Sequence, residues 1–381
     1  MFDFEPSEEQ RALVDATRRF VRERVMPVAA QCDRESRFPT SLFEEAHTLG
    51  LINPTLPTPY GGAGLSDVDD SLITEEIAYG CTGIQTSFTG NTLGLTPIKL
   101  AGSEEQKKRY LGWLARDPVM VSYATSEPSM GSDIAGMQCR ATKDGGGGYV
   151  LTGTKQWITN ASLASFYVVF ATEDPSLRHR GIGAFIVERS QTGVKPGRHE
   201  DKLGQRASDT APLVLEDVRV PAAQVLAPPG EGFKLAMETF NQTRPAIGAG
   251  ALGLMRRCLD ECVTYARERK AFGVPIADHQ LVQAMIAEMA IRIEATSLLV
   301  RKAAWNLDSG VRSPFLSSCA KAYAADSAMQ TAIDAVQIFG GYGYVKDYPV
   351  EKLMRDAKIF QIYEGTAQIQ RLVIARNVIG R

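Results

Sequence analysis

Residues 138–158 read QCRATKDGGGGYVLTGTKQWI, and the fold turns on them. On either side of the four glycines 145–148 lie two candidate strand runs, 138–142 and 149–158, the second rich in Thr, Val and aromatics. Such runs joined by a glycine loop predict two strands paired as a hairpin. Further runs of the same character occupy 119–126, 166–172, 183–188 and 212–220. Glycine and proline punctuate them, and no long helical pattern intervenes. Several short strands arranged in this way predict a compact antiparallel barrel or sandwich.

On both sides of this zone the pattern is helical. Helices are expected over 11–32, 40–49, 66–79, 84–100 and 103–116, with a loop at 57–62 and Pro118 closing the first zone. From about 229 they resume over 231–241, 244–269, 279–308, 314–339, 350–362 and 366–379. Val282, Ile286, Met289 and Ile293 repeat at helical spacing, and Gly340-Gly341 stands where a helix C-cap would. The expected fold class is mainly α with a central β domain. The boundaries are an N-terminal helical domain over 1–118, the strand zone over 119–228 and a C-terminal helical bundle over 229–381.

The bulk numbers exclude several classes. At 381 residues the chain has room for two or three domains. A formal charge of −2 lacks the basic excess of a nucleic-acid or membrane-surface protein. No apolar run approaches the ~20 residues a bilayer span needs. The first residues lack signal-peptide anatomy; Ser7 with Gln10 reads as a capping box, so the fold is expected to begin almost at Met1. Six scattered cysteines without a CxxC read as buried thiols of a reducing cytoplasm, and four histidines without metal spacing predict no metal. The absence of a GxGxxG between strand and helix, and of a P-loop, disfavours the common nicotinamide and nucleotide-hydrolysing enzymes.

Five segments carry candidate chemistry. The tetrad Tyr363-Glu364-Gly365-Thr366 lies between two helical stretches, where Gly365 breaks the first and Thr366 caps the second. That junction can aim Glu364 into a cavity, although a solvated helix-end acid is the ordinary reading. The stretch 123–133, YATSEPSMGSD, leaves a strand into a loop of small hydroxyl residues. It can offer donors to an anionic or heteroaromatic ligand, or be an ordinary turn. Trp157 in KQWITN, 155–160, can flank a flat ring or be plain core. The cations of 267–273, RERKAFG, suit a helix C-terminus, and can equally clamp a pyrophosphate. Arg244 in 241–244, NQTR, is expected to open a helix, the wrong end for dipole compensation, which favours a ligand role.

Together these segments resemble the acyl-CoA dehydrogenase family, its medium-chain members above all, over essentially the whole chain. GQRASDT at 204–210, ERKAFG at 268–273, DAVQI at 334–338, YPVEKLMRDAK at 348–358 and IYEGT at 362–366 carry the likeness. The resemblance implies a helical domain, a small β-barrel and a C-terminal four-helix bundle, assembled as a homotetramer (a dimer of dimers) that holds non-covalent FAD. Carried over by position, Tyr123, Ser126, Ser132, Trp157 and Thr159 surround the flavin, and Thr366 and Gln368 also meet it. Arg269, His279, Gln280, Gln337, Gly340 and Gly341 reach the FAD of a neighbouring subunit. Ser132, Asn241 and Arg244 contact the CoA part of the substrate, and Tyr363 and Gly365 also bind substrate. Glu364 removes the α-proton while the β-hydrogen leaves as hydride to flavin N5, giving a trans-2-enoyl-CoA. Electron-transferring flavoprotein is the implied acceptor, fatty-acid β-oxidation the implied setting and the cytoplasm the expected location.

Some positions depart from the family pattern. Ser126 stands where threonine is usual, Ser129-Met130 where Gly-Ala is common, and Asn241 replaces an acid. At the end of the acyl tunnel Thr89 stands where the medium-chain enzymes have glutamate, and Phe88 and Ile247 are bulkier than their counterparts. Short-to-medium straight acyl groups are therefore expected. The alternatives are a cyclic or heteroatom-bearing acyl-CoA, an oxidase or eliminating enzyme of the same fold, or a silent acyl-CoA-binding assembly.

Overall fold

Three serines start helices by one device. Ser7, Ser66 and Ser103 each accept a hydrogen bond from the backbone N–H three residues on, and Gln10, Asp69 and Gln106 answer the serine's own N–H. The pairs satisfy donors that a helix start leaves open. The computed structural model describes residues 6–311 and 313–380. The expectation that the fold begins near Met1 falls on residues 1–5, outside the described residues, whereas the capping box at Ser7 is present.

The first layer comprises α1 (Glu8–Phe20), α2 (Met26–Glu35), α3 (Thr40–Thr48), α4 (Asp67–Gly80), α5 (Thr82–Ala101), α6 (Glu104–Gln106) and α7 (Gly112–Arg116). Single π turns join α1 to α2 and α6 to α7, so the helices expected over 11–32 and 103–116 are each continuous but irregular. The N-terminus of α4 is also capped from afar: the Asp308 carboxylate accepts from the N–H groups of Asp67 and Val68 at 2.6 and 3.0 Å.

The strands are β1 (Val121–Ala124), β2 (Arg140–Lys143), β3 (Tyr149–Thr159), β4 (Phe166–Thr172), β5 (Ile182–Glu188), β6 (Val194–Pro196), β7 (Thr210–Val220) and β8 (Val225–Ala227). The glycine loop closes the β2–β3 hairpin as expected, pairing Lys143 with Tyr149 while Asp144 accepts from the N–H groups of Gly146 and Gly148. The sheet runs in the order β6-β7-β3-β2-β4-β5-β8, with β1 beside β4. Two expectations need correction. The ladders do not close a barrel, since no pairing joins β6 to β8 among the described residues. Nor is the sheet wholly antiparallel, because β1 and β2 both pair with β4 in parallel. The edge strands β6 and β8, three residues each, were too short to leave an alternating pattern.

A two-stranded ribbon, β9 (Lys270–Ala271) with β10 (Val274–Pro275), follows α8 (Gly232–Glu268). Then come α9 (Gln280–Asp308), α10 (Pro314–Phe339), α11 (Val350–Ala357) and α12 (Ala367–Ile379). α8 packs on α4, α9 and α10, tying the bundle to the first layer. The two helices expected over 231–241 and 244–269 are this one helix of 37 residues, with Pro245 inside it. Proline removes the bond that the carbonyl four residues earlier would accept. Here that carbonyl, of Asn241, accepts from the Ser317 hydroxyl at 2.8 Å instead, and the helix continues.

Among the described residues no helix is long and apolar enough to cross a membrane. Five of the six cysteines are buried and Cys319 is partly so; all six are free thiols.

Candidate active site

The helical pattern expected over 350–362 ends sooner than the sequence implies. α11 stops at Ala357, a 3-10 turn covers Lys358–Gln361, and the chain then makes a left-handed turn. Glu364 has φ +50° and Gly365 φ +88°. A non-glycine residue in that region is uncommon, and the surroundings must hold it there. Thr366 then caps α12, its hydroxyl accepting from the Ile369 N–H.

Four side chains from two other helices and from α12 itself hold the turn. The Glu364 Oε2 atom accepts from the Thr243 hydroxyl of α8 at 2.7 Å. The Glu364 carbonyl accepts from Gln370 Nε2 at 3.2 Å and lies 3.5 Å from Arg244 Nε. Gly365 O accepts from Lys321 Nζ of α10 at 2.6 Å and from Gln370 Nε2 at 2.9 Å. Lys321, Arg244, Thr243 and Gln370 are all buried. Burial pushes the Glu364 carboxyl above its ordinary range, against the pull of the Thr243 hydroxyl and of the Arg244 and Lys321 cations. Burial likewise lowers Lys321 to about 8 and depresses Arg244. Burial, with Glu364 adding to it, lifts the Tyr123 phenol well above its ordinary value. The Glu364 N–H and Oε1 have no hydrogen-bond partner among the described residues.

Arg244 does not open a helix. It lies well inside α8, so the argument from the helix dipole fails. Its side chain turns inward, bonding Asn241 Oδ1 at 3.0 Å and resting over the Phe240 ring at 5.9 Å. Tyr363 is half-buried, its ring edge-on to Phe360, and its hydroxyl lies 3.5 Å from Gln205 Nε2. Gln205 accepts from Thr86 and donates its N–H to the buried carboxylate of Asp356, which also binds Thr82 and Lys352. Gly204 permits this approach, for a Cβ there would lie 2.2 Å from the Arg355 carbonyl.

Trp157 is not core. It lies near the end of β3 with φ +62° and is 61% exposed. The loop of small hydroxyl residues is fastened beside it: Gln156 N–H donates to Ser126 O at 2.9 Å. The buried pair Lys155–Glu127, at 2.7 Å, fixes the loop from below. Glu127 also accepts from the N–H groups of Gln138 and Cys139. Thr159 is held through its carbonyl by Ser122 and its methyl faces Gly90. Tyr123 is buried against Phe170 and Phe240. Ser132 is exposed in the loop. The hydroxyls of Ser126 and Thr159 have no protein partner among the described residues, and with the bare indole they form a surface that fits a flat, hydrogen-bonding ring such as a flavin.

Other expected residues lie elsewhere. Phe88 is buried edge-on to Phe38 and Phe43, Thr89 bonds back to Gln85, and Ile247 is buried one turn beyond Thr243 on α8. Arg269 lies over the Tyr342 ring at 5.5 Å, and His279 Nε2 is 3.2 Å from Ala271 O. Gln280, Gln337, Gly340 and Gly341 are exposed near the same end of the bundle, and Gln368 is exposed on α12. From Thr243 to Arg269 is about 40 Å along α8, so one chain does not bring these two groups together. The sequence reading missed Thr243, Lys321, Gln370, Gln205 and Asp356. Thr243, Gln205 and Asp356 sat inside stretches already singled out.

Comparison with known proteins agrees with this geometry. Models of the acyl-CoA dehydrogenase N-terminal, middle and C-terminal domains match residues 7–117, 122–218 and 230–379. A probable mitochondrial medium-chain specific acyl-CoA dehydrogenase of Caenorhabditis briggsae is 45% identical over 99% of this chain and 92% of its own. The butyryl-CoA dehydrogenase structure from Megasphaera elsdenii superposes with a TM-score of 0.97 at 36% identity, covering 99% and 100% of the two chains. A glutaryl-CoA dehydrogenase of Mycobacterium smegmatis, solved in complex with FADH2, gives 0.93 at 30% identity over 99% and 96%. The chain belongs to the acyl-CoA dehydrogenase family. It is an FAD-dependent oxidoreductase that acts on the CH–CH group of an acyl-CoA.

Proposed function

We propose that the protein dehydrogenates a short-to-medium straight acyl-CoA to its trans-2-enoyl-CoA, with Glu364 taking the α-proton. When bound, FAD supplies the hydride-accepting redox chemistry, and the protein supplies alignment. The observation that carries the reading is the state of Glu364: a half-buried carboxylate in a left-handed turn, pushed above its ordinary range by burial, with one oxygen engaged by Thr243 at 2.7 Å. A thioester α-hydrogen is too weak an acid for a carboxylate in water. Desolvation raises the carboxylate's proton affinity and narrows that gap. Because Thr243 occupies Oε2, Oε1 is the oxygen left to take the proton. The unpartnered Glu364 N–H is suited to hold the thioester carbonyl as enolate charge develops. Loss of one such donor costs about 3 kcal/mol in other enzymes.

Around this base, Tyr123, Ser126, Ser132, Trp157, Thr159, Thr366 and Gln368 hold FAD. Arg269, His279, Gln280, Gln337, Gly340 and Gly341 serve the FAD of a neighbouring chain in a homotetramer; the separation of Arg269 from Thr243 along α8 supports this reading. Ser132 and Asn241 contact CoA, Tyr363 and Gly365 flank the thioester, and Phe88, Thr89 and Ile247 limit the acyl chain. Arg244 is a positioning residue that holds the Glu364 backbone. The three zones 1–118, 119–228 and 229–381 are the protein's domains. Electron-transferring flavoprotein takes the electrons, in a cytoplasmic β-oxidation. The medium-chain and butyryl-CoA relatives support the chain length. An anaerobic panel of acyl-CoA thioesters, scored by loss of flavin absorbance, tests the reading: bleaching by C4–C8 thioesters is expected, and no bleaching by any thioester would overturn it.

A further inference from the structure

Four buried side chains hold the Glu364 turn from one side. Thr243 takes the Glu364 carboxylate, Gln370 and Arg244 meet the Glu364 carbonyl, and Lys321 and Gln370 take the Gly365 carbonyl. Each acts on the Glu364 side chain or on atoms after its Cα. The Glu364 N–H belongs to the preceding peptide, the one shared with Tyr363. A peptide is a planar unit, so the direction of that N–H is set by how the Cα atoms at its two ends are held.

Tyr363 holds the other end. Its own N–H donates to the Ile359 carbonyl at 3.1 Å, and its ring rests edge-on against Phe360. Its hydroxyl meets Gln205 and Thr86, with Gln205 Nε2 at 3.5 Å. Hydrogen bonds in a catalytic site are often long before substrate enters and tighten when it does. Burial pushes the Tyr363 phenol up, so it keeps its proton at neutral pH and can donate as well as accept.

Gln205 is itself held in place against strain. It is 3% exposed and has φ +47°, a conformation that the surroundings must impose on a non-glycine residue. Its N–H donates to the buried Asp356 carboxylate, which Thr82 holds at 2.8 Å, and its carbonyl accepts from the Ser208 N–H at 2.9 Å. The Thr86 hydroxyl bonds its amide at 2.7 Å. Helix α5 comes this close because Gly83 has no side chain: a Cβ there would stand 3.2 Å from the Gln205 carbonyl carbon. The amide serves in either orientation. With Nε2 towards Tyr363 it donates to the phenol; turned over, it accepts from the phenol and donates to Thr86.

We propose that Gln205 is a positioning residue for the dehydrogenation: it fixes the Tyr363 hydroxyl and, through the Tyr363–Glu364 peptide, aims the Glu364 N–H at the thioester carbonyl. The inference rests on the acyl-CoA dehydrogenation proposed above. A residue of the strand zone thereby sets the geometry of a base that lies in the bundle. A glutamine present only for packing would affect stability and leave the carbonyl of a bound thioester unchanged. A positioning glutamine changes the hydrogen bond which that carbonyl receives.

The test uses the FAD-loaded full-length protein with Gln205→Met, Tyr363→Phe and the double variant. Methionine matches glutamine in length and leaves the N–H bond to Asp356 in place. A straight-chain thioester that bleaches the wild type is mixed in anaerobically, and limiting bleaching rate and half-saturation are read separately. Each single variant is expected to lower the limiting rate about tenfold with half-saturation within about twofold, and the double variant to be no slower than the slower single one. Infrared difference spectra of a bound enoyl-CoA labelled with carbon-13 at the carbonyl should show the downward shift of its stretch reduced in each single variant. A wild-type rate and carbonyl shift in Tyr363→Phe overturn the inference, whether or not Gln205→Met folds. Rate losses that multiply in the double variant also overturn it, because they give the two residues separate effects. Wild-type bleaching matched by both single variants overturns the positioning alone, whereas bleaching by no thioester overturns the dehydrogenation reading as well.

Discussion

The Thr243 hydroxyl and the Glu364 carboxylate, 121 residues apart in sequence, meet at 2.7 Å. The bond favours the charged form of an acid that burial pushes the other way. Thr243→Val should therefore raise the Glu364 pKa further and leave less free base at any acidic pH. The acid limb of the kcat/KM profile should move to higher pH, with activity below neutrality down on the order of tenfold, the scale of one charge-assisted hydrogen bond. Thr243→Ser should restore the wild-type profile.

Lys321 is a second regulator of the same acid. Its positive charge lowers the Glu364 pKa, so Lys321→Met should also move the acid limb to higher pH. Stability carries a separate sign. Burial lowers the lysine's own pKa to about 8 from 10.5, so between those values the unfolded chain holds a proton that the native protein has released. The cost of burying this charge is present below pH 8 and relieved as pH rises towards 10.5. Thermal unfolding of wild type and Lys321→Met should differ by an amount that shifts in favour of the wild type over that window; a constant difference would contradict it.

Much of this arrangement was legible in the chain itself. The helix–strand–helix order followed from where β-branched and aromatic runs sit, and the tetrad followed from Gly365 and Thr366, whose left-handed φ and cap the structure contains. The single helix α8 was not legible, because its continuation past Pro245 depends on Ser317, a residue of another helix. The same reason hid Lys321 and Gln370. A lysine inside an Ala-rich helix reads as solvated, and only the packing of α10 against α12 places it on the Gly365 carbonyl. The missing barrel closure is likewise a matter of which edges pair, which strand composition does not encode.

The Lys155–Glu127 pair lies beneath the hydroxyl-rich loop and is almost fully buried at both ends. Glu127→Gln leaves a buried ammonium without its counter-charge, which typically costs about 3–5 kcal/mol. The variant should unfold at lower denaturant and release flavin more readily. A variant that loses stability but keeps its flavin would separate the pair from the loop.

Arg269 tests the assembly. If it serves a neighbouring chain's FAD, Arg269→Ala should lower both flavin content and the fraction of tetramer in sedimentation analysis. Its exposure in the single chain makes a folding defect a poor explanation for such a loss. Unchanged flavin and mass would remove Arg269 from the cofactor site.

The most direct test of Glu364 as the base is a single-turnover measurement on Glu364→Gln. The variant keeps a side chain of the same size, and its amide can still meet Thr243. It should purify as a yellow, folded protein that binds acyl-CoA. Mixed anaerobically with a thioester that bleaches the wild type, its flavin absorbance should stay unchanged. Bleaching at the wild-type rate would place the base elsewhere.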